Sequence, residues 1–278
     1  MNRASKRASP ILLMCPPTYY GIEYEINPWM SRNQAAVASL ATEQWERLVD
    51  LFHTLGAGIE FIDPVPGLPD MVFTANAGVI HRRMFVTSHF RHAERQGESG
   101  YFEQWFAKRG FRVTSLPICA DFEGAGDALY CGDTLFAGYL HRSELKAHHK
   151  LSRLLCCQVL GLELVDPRFY HLDTCFCPLA PGVAMYYPGA FDEYGIRVLS
   201  ENIEQLIPVE EQDALRFGCN AVVLGKHVVV NEGVGKIVKD LSKLGFLVHT
   251  TPLGEFVKSG GSAKCLTLRL DGEDAAGW

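Results

Sequence analysis

This 278-residue sequence lacks several features, and each absence removes a class of function. No stretch of about 18 apolar residues occurs, so no segment reads as a membrane-spanning helix. The apolar run from Ile11 to Cys15 stops at Pro16-Pro17, too short for the core of a secretion signal. Basic residues form no stripe or aromatic-laced patch and the net charge is −6, which argues against a nucleic-acid partner. The nine cysteines are odd in number, without framework spacing or an export signal, so reduced thiols in a cytoplasm are expected. Cys-x-x-Cys pairs are absent too. Neither Cys175-x-Cys177 beside His171 and Asp173 nor Cys156-Cys157 has structural-zinc spacing, and no metal is expected. There is no Gly-x-Ser-x-Gly elbow of a serine hydrolase.

What remains is ordinary globular composition, 47% hydrophobic and 21% charged, in a chain long enough for a substantial core. With no linker evident, one catalytic domain over residues 10–271 is the simplest reading. Residues 1–9 and 272–278 are expected to be disordered or flexible tails. Residues 33–55 carry Val37, Leu40, Trp45, Leu48, Val49, Phe52 and Leu55 at helical spacing, with Gly56 as a stop. Strand-like runs follow at GIEFID, GVIHRRMFVTS, FRVTSLP, ALYCGDTLFAGYL, LELVDP, GVAMYY, IRVLS, AVVLGKHVVVN and FLVHTT. A helix-then-strand phrase recurs four times: 33–55 before GIEFID, YFEQWFAKRG before FRVTSLP, 143–160 before LELVDP, and VGKIVKDLSKLG before FLVHTT. The pattern specifies an α/β protein and leaves a doubly wound sheet and a radial arrangement both open.

Polar chemistry concentrates in four short segments expected at strand ends. The first is Phe122-Glu123-Gly124-Ala125-Gly126-Asp127, whose glycines allow close backbone approach to a ligand and whose carboxylates suit a cation. A phosphate loop is its rival, but no Lys-Ser/Thr follows, and a bland acidic turn is the other alternative. In Tyr170-His171-Leu172-Asp173-Thr174, an extended backbone would put His171 and Asp173 on one face, a general acid/base pairing. Ser259 to Thr267 is a glycine-rich loop delivering Cys265, expected to expose the thiol beside Lys264; a buried inert cysteine is its plain alternative. Asp70 to Gly78 presents polar groups around Asn76, in the manner also of a capped turn. Cysteine, histidine and several carboxylates together suit thiolate attack on a positively charged carbon.

These segments resemble the guanidino-group-modifying enzymes of the pentein superfamily, which includes arginine deiminases and dimethylargininases. FEGAGD is similar to that family's acidic glycine segment, HLDT to its His-x-Asp segment, and GGSAKC to its nucleophile loop, in order over nearly the whole chain. The resemblance implies Cys265 as nucleophile, His171 as general acid/base, Glu123 binding guanidinium, and Asp173 binding guanidinium or orienting the histidine. Arg91 in SHFRHAERQGE and Arg142 in AGYLHRSE match arginines that bind a substrate α-carboxylate, a task suited to their fork of donors. Asp127, Asn220 in GCNAVVLG and Asn27 in NPWM are further substrate-binding candidates. The implied fold is an α/β-propeller of five pseudo-symmetric ββαβ modules around a central site. Thiolate and imidazole would supply the chemistry, so no cofactor is expected. The expected partner is a small-molecule substrate, arginine, with no nucleic acid, no membrane, and a homo-oligomer left open.

Asn76 stands where deiminases carry an acidic clamp. An amide there gives up a charge but offers an N–H to a neutral ureido oxygen. Together with YEINPWM, FTANAG resembles the arginine dihydrolases, which carry arginine on to ornithine. Deiminase or dimethylargininase activity releasing citrulline is the alternative. A binding protein on the same scaffold is the non-enzyme alternative, as in ribosome anti-association factors.

Overall fold

The computed structural model describes residues 9–116 and 120–272, so residues 1–8 and 273–278 of the expected tails lie outside the described residues. Among the described residues fifteen strands form five three-stranded sheets, and each sheet repeats one construction. In the second sheet, β3 (Gly78–His81) runs antiparallel to β4 (Met84–Thr87), with Ile80 opposite Phe85. The helix Ser99–Lys108 then returns the chain so that β5 (Arg112–Ser115) pairs parallel with β4. A parallel pair cannot be joined by a tight turn, so a crossover helix follows from the pairing. The unit is ββαβ.

The third sheet holds β6 (Ala128–Cys131), β7 (Thr134–Tyr139) and β8 (Gln158–Glu163), with helix Leu145–Leu155 as crossover. The fourth holds β9 (Phe176–Ala180), β10 (Val183–Tyr186) and β11 (Gln205–Pro208), with helix Glu193–Asn202. The fifth holds β12 (Val222–Leu224), β13 (His227–Asn231) and β14 (Leu247–Thr251), with helix Gly235–Lys243. The first sheet is completed by the far end of the chain. There β1 (Ile11–Met14) pairs parallel with β2 (Gly58–Phe61) after helix Ala38–Thr54, while β15 (Leu268–Arg269) supplies the antiparallel partner of β1. Pairing the two chain ends closes the ring.

Burial falls from the first strand of each unit to the last. β3, β6 and β9 are almost wholly buried, whereas β2, β5 and β11 are largely half-exposed or exposed. One cavity is lined from four sheets, by Leu129 of β6, Phe176 of β9, Val222 of β12 and Arg269 of β15 among others. The first strands therefore face a common axis. Outside them, each helix buries one apolar stripe: Trp45, Leu48 and Phe52 join Leu12 and Phe256, and Phe106 stacks on Phe85 at 3.8 Å between ring centroids. Burying one such side chain contributes about 1.5–3 kcal/mol.

Three helical boundaries differ from the sequence reading. Helix 33–55 begins at Ala38, leaving Val37 and Leu40 exposed rather than on the packed face. The helix expected over 143–160 stops at Leu155, because Cys156 turns left-handed at φ 53°, and Gln158 to Leu160 already belong to β8. IRVLS, read as a strand, lies inside helix Glu193–Asn202. Asp192 caps that helix by accepting the Gly195 N–H at 2.7 Å, and Leu199 turns inward with Val198. None of the described helices is long and apolar enough to cross a membrane.

Candidate active site

Each of the five units contributes the segment just before its inner strand. Asn76 precedes β3, Glu123 precedes β6, His171 and Asp173 precede β9, Asn220 precedes β12 and Cys265 precedes β15. Most of these segments are short helical turns: 69–72, 74–77, 124–127 and 172–174. The motifs thus sit at the starts of inner strands, where the backbone must turn toward the axis. Asn27, Asp70, Asn76, Arg95, Arg142, Tyr170 and Cys265 are among the residues that line the resulting pocket.

Glu123 is the electrostatic centre of one wall. Its Oε2 accepts from Arg142 Nη1 at 3.0 Å and from His171 Nε2 at 2.7 Å, and its Oε1 from the Arg91 backbone N–H at 3.2 Å. Burial alone would raise this carboxyl, but Arg142 and the His171 hydrogen bond together outweigh it and hold Glu123 well below the usual carboxylate range. Burial also dominates at His171 and lowers it to about 4 despite Glu123, so the imidazole is neutral and Nε2–H donates. The histidine is therefore held by a carboxylate, but by Glu123 rather than Asp173. Residues 172–174 form a 3-10 turn, so the one-face alternation expected of an extended segment does not apply.

Asp127 faces the scaffold. One oxygen accepts from Ser143 Oγ at 2.6 Å and the other from the Leu172 N–H at 3.0 Å, while Ser143 Oγ accepts the Glu123 N–H at 3.0 Å. It ties the Glu123 and His171 segments together. The glycines between Glu123 and Asp127 serve neighbouring chain rather than ligand: a Cβ on Gly126 would overlap Asn76 Nδ2.

Arg142 also donates to Ile26 O at 2.9 Å and lies 4.6 Å from the Tyr170 ring centroid. Arg91 is exposed, and the second arginine lining the pocket is Arg95, four residues further along the same run. Arg95 is buried, forks onto Glu98 with two 2.8 Å bonds, and donates to Asp70 O at 3.1 Å and Asn76 Oδ1 at 2.9 Å. Glu98 three residues after Arg95 was the available signal, since a buried cation needs a neighbouring anion. Arginine only donates, so the Asn76 oxygen must face Arg95 and its NH₂ must face away. That nitrogen is buried and has no hydrogen-bond partner among the described residues.

On the opposite wall Cys265 is 2% exposed, so the glycine-rich loop buries the thiol it was expected to expose. The loop packs instead of opening: Tyr170 Oη donates to Gly260 O at 2.7 Å, and a Cβ on Gly260 (φ +81°) would lie 3.0 Å from Asn27 Oδ1. Asn27 Nδ2 donates to Ser259 O at 3.0 Å, joining the NPWM turn to the same loop. Cys265 Sγ donates to Asp173 Oδ2 at 3.4 Å and accepts from Asn220 Nδ2 at 3.1 Å. Burial first, then the Asp173 charge, push the thiol well above its ordinary value. Among the described residues, no three His, Cys, Asp or Glu side chains are grouped to hold a metal ion.

A family model described as eukaryotic N,N dimethylarginine dimethylhydrolase matches residues 23–270. The chain belongs to this family. It is 48% identical to the bifunctional arginine dihydrolase/ornithine cyclodeaminase of Synechocystis, over 93% of this chain and 37% of that protein. It thus spans little more than a third of that bifunctional relative. The N(G),N(G)-dimethylarginine dimethylaminohydrolase of Mycobacterium tuberculosis is 40% identical, over 92% of this chain and 84% of the relative. The crystal structure of a mutant N-terminal domain of a cyanobacterial arginine dihydrolase, bound to substrate, matches with a TM-score of 0.91 at 47% identity, over 94% of this chain and 98% of that one. The fold is that of the penteins, five ββαβ modules around an axis.

Proposed function

We propose that this chain is an arginine dihydrolase, acting on free L-arginine through a covalent Cys265 intermediate. Arginine and one water give citrulline and ammonia; citrulline and a second water give ornithine, ammonia and carbon dioxide. With substrate bound, the neutral His171 takes up the proton released as Cys265 ionises; the thiolate attacks the guanidinium carbon, and ammonia departs with that proton from the imidazolium. His171 then takes a proton from the water that releases citrulline. Asp173 and Glu123 favour the guanidinium cation, whose charge also lowers the cost of ionising the buried thiol. Arg142 and Arg95, with Asn27 bracing the loop, would receive the α-carboxylate. The catalytic unit is residues 10–271, and a cytoplasmic setting suits an odd number of cysteines without framework spacing.

The observation that carries dihydrolase over deiminase is the Asn76 amide. A buried NH₂ without a partner costs about 1–3 kcal/mol, and the Arg95 bond to the amide oxygen turns it away toward Gly126, in a residue that lines the pocket. Ala75 N–H donates to Cys265 O at 3.2 Å, so the same turn abuts the nucleophile. A donor there suits the ureido oxygen of citrulline, a neutral ligand that a carboxylate would repel. The family match favours a second reading, in which methylated arginine is hydrolysed and citrulline released. Mass spectrometry of products from arginine, citrulline, agmatine and dimethylarginine in parallel separates the two. Ornithine from arginine is expected; citrulline alone would sink the dihydrolase assignment, and preference for agmatine would sink free arginine as substrate.

A further inference from the structure

The sequence resemblance made Asn220 a substrate-binding residue, but its side chain is spent on the nucleophile. Oδ1 accepts the Cys265 backbone N–H at 3.2 Å. A backbone N–H only donates, so this bond fixes which end of the amide is which. Nδ2 therefore faces the other way, where it donates to Asp173 O at 3.0 Å and to Cys265 Sγ at 3.1 Å. Both of its hydrogens are accounted for. The main chain adds another tie, Lys264 N–H to Asn220 O at 3.3 Å. Asn220 is fully buried, and the turn that carries it contains Phe217 at φ 61°, a left-handed conformation unusual for a bulky residue. One carboxamide thus joins the segments before β9, β12 and β15 and touches the sulfur.

We propose that Asn220 is a catalytic residue that stabilises the Cys265 thiolate and fixes its line of attack; this rests on Cys265 being the nucleophile. The sulfur lies among groups of opposite preference, with the Ser262 backbone favouring the thiolate alongside Asn220. Asp173 Oδ2 accepts S–H and so favours the thiol, whereas the Asn220 N–H donates to sulfur and favours the thiolate. Once the S–H proton leaves, to water in the free enzyme, the Asn220 bond becomes charge-assisted and about twice as strong. The Asp173 contact becomes repulsive until a cationic substrate arrives. A bond that strengthens as the nucleophile forms lowers the barrier instead of merely binding substrate. Tyr170 lies within electrostatic reach of the sulfur: burial first pushes its hydroxyl up, and the Cys265 charge adds to that against Arg142.

The test measures iodoacetamide alkylation of the Cys265 peptide against pH in the free enzyme, by mass spectrometry, together with kcat and KM for arginine. Asn220→Asp is isosteric and keeps an acceptor for the Cys265 N–H, but sets an oxygen against Asp173 O and the sulfur; Asn220→Ala removes both bonds without adding charge. Both are expected to slow alkylation at pH 7 by about 10-fold or more and lower kcat at least as much, with KM changed less than about 3-fold. Asn220→Ser, which keeps a hydroxyl donor, is expected to recover part of both. A raised KM with wild-type alkylation would make Asn220 a substrate ligand and overturn the proposal. A lower melting temperature with wild-type alkylation and kcat would overturn it as a purely structural tie. If the wild-type enzyme does not hydrolyse arginine at all, the functional reading fails, yet the alkylation profiles still decide the role of Asn220.

Discussion

On one wall of the pocket Glu123, Arg142 and His171 hold one another in a set of charges already balanced by the protein, whereas on the other Cys265 lies between Asp173 and Asn220 with its thiol pushed up. The first wall is organised before anything binds. The second becomes competent only when a positive charge enters beside Asp173. In the proposed reading that charge is the substrate guanidinium, so recognition and activation of the nucleophile are one event.

The contrast breaks most visibly in paired variants of the two walls. Cys265→Ser should remove turnover by several orders of magnitude while leaving the melting temperature nearly unchanged, since a serine hydroxyl fits the space but is a far weaker nucleophile. Glu123→Gln should cost both activity and stability, by about 3–5 kcal/mol, because it strands the buried Arg142 charge. Denaturant melts and initial rates on the two variants check this. Equal destabilisation of both would show that the walls are not built differently.

Acid is the next lever. His171 is held at about 4 and His148, buried in helix Leu145–Leu155, also at about 4, each chiefly by burial. Their folded values lie below the ordinary 6.5, so the unfolded chain binds more protons between these limits. Their contribution to stability is full above pH 6.5 and is lost as pH falls toward 4, roughly 2 kcal/mol per histidine by pH 5. Glu123 has the same sign but lower in pH, its contribution present above the ordinary carboxylate range and lost below it. Urea midpoints at pH 7.5, 6 and 5 measure the slope, and His148→Phe should remove about half. A flat profile would mean that the imidazoles are charged in the fold.

A smaller effect separates the arginines. Arg142→Ala should weaken arginine binding by about 10- to 150-fold, and binding of agmatine, which lacks the carboxylate, by much less. Arg91→Ala should leave arginine KM within about 2-fold, because its side chain is exposed and only its backbone N–H reaches Glu123, a bond the variant keeps. A large KM rise in Arg91→Ala would return it to the role its motif implied.

The limits of the sequence reading follow the same geography. The segments that hold Cys265, His171, Glu123 and Asn76 stood out by their composition, while the roles expected of these residues came from the family resemblance. The Glu123–His171 pairing spans 48 positions and joins two modules, so no local pattern could reveal it. Arg95 was passed over for Arg91 in the same run, since motif matching cannot tell a side chain buried by a four-residue helix from one left outside it. IRVLS misled because β-branched Ile196 and Val198 imitate strand alternation, while the deciding Asp192 cap lies outside the apolar run. Repetition was visible as a weak phrase recurring four times, but closure through β15 and β1 depends on residues more than 250 positions apart.

The smallest expected change tests the boundary between the walls, at Asn76. In Asn76→Asp one carboxylate oxygen would pair with Arg95 Nη1, now 2.9 Å from the amide oxygen, and the other would replace the NH₂ donor with an acceptor. The cationic first substrate tolerates that exchange, and a carboxylate would even attract it. Citrulline does not: its neutral ureido oxygen would meet negative charge where it needs a donor, most of all as oxyanion character develops. The first hydrolysis should therefore survive better than the second, and citrulline should accumulate from arginine with a several-fold lower ornithine-to-citrulline ratio. If Asn76 were only a turn-forming residue, the ratio would stay constant while the melting temperature fell. Asn76→Ser separates charge from donor: its shorter hydroxyl can still donate, so it should slow ornithine formation less than the aspartate does. An unchanged ratio in both variants would free Asn76 of any role in the second cycle.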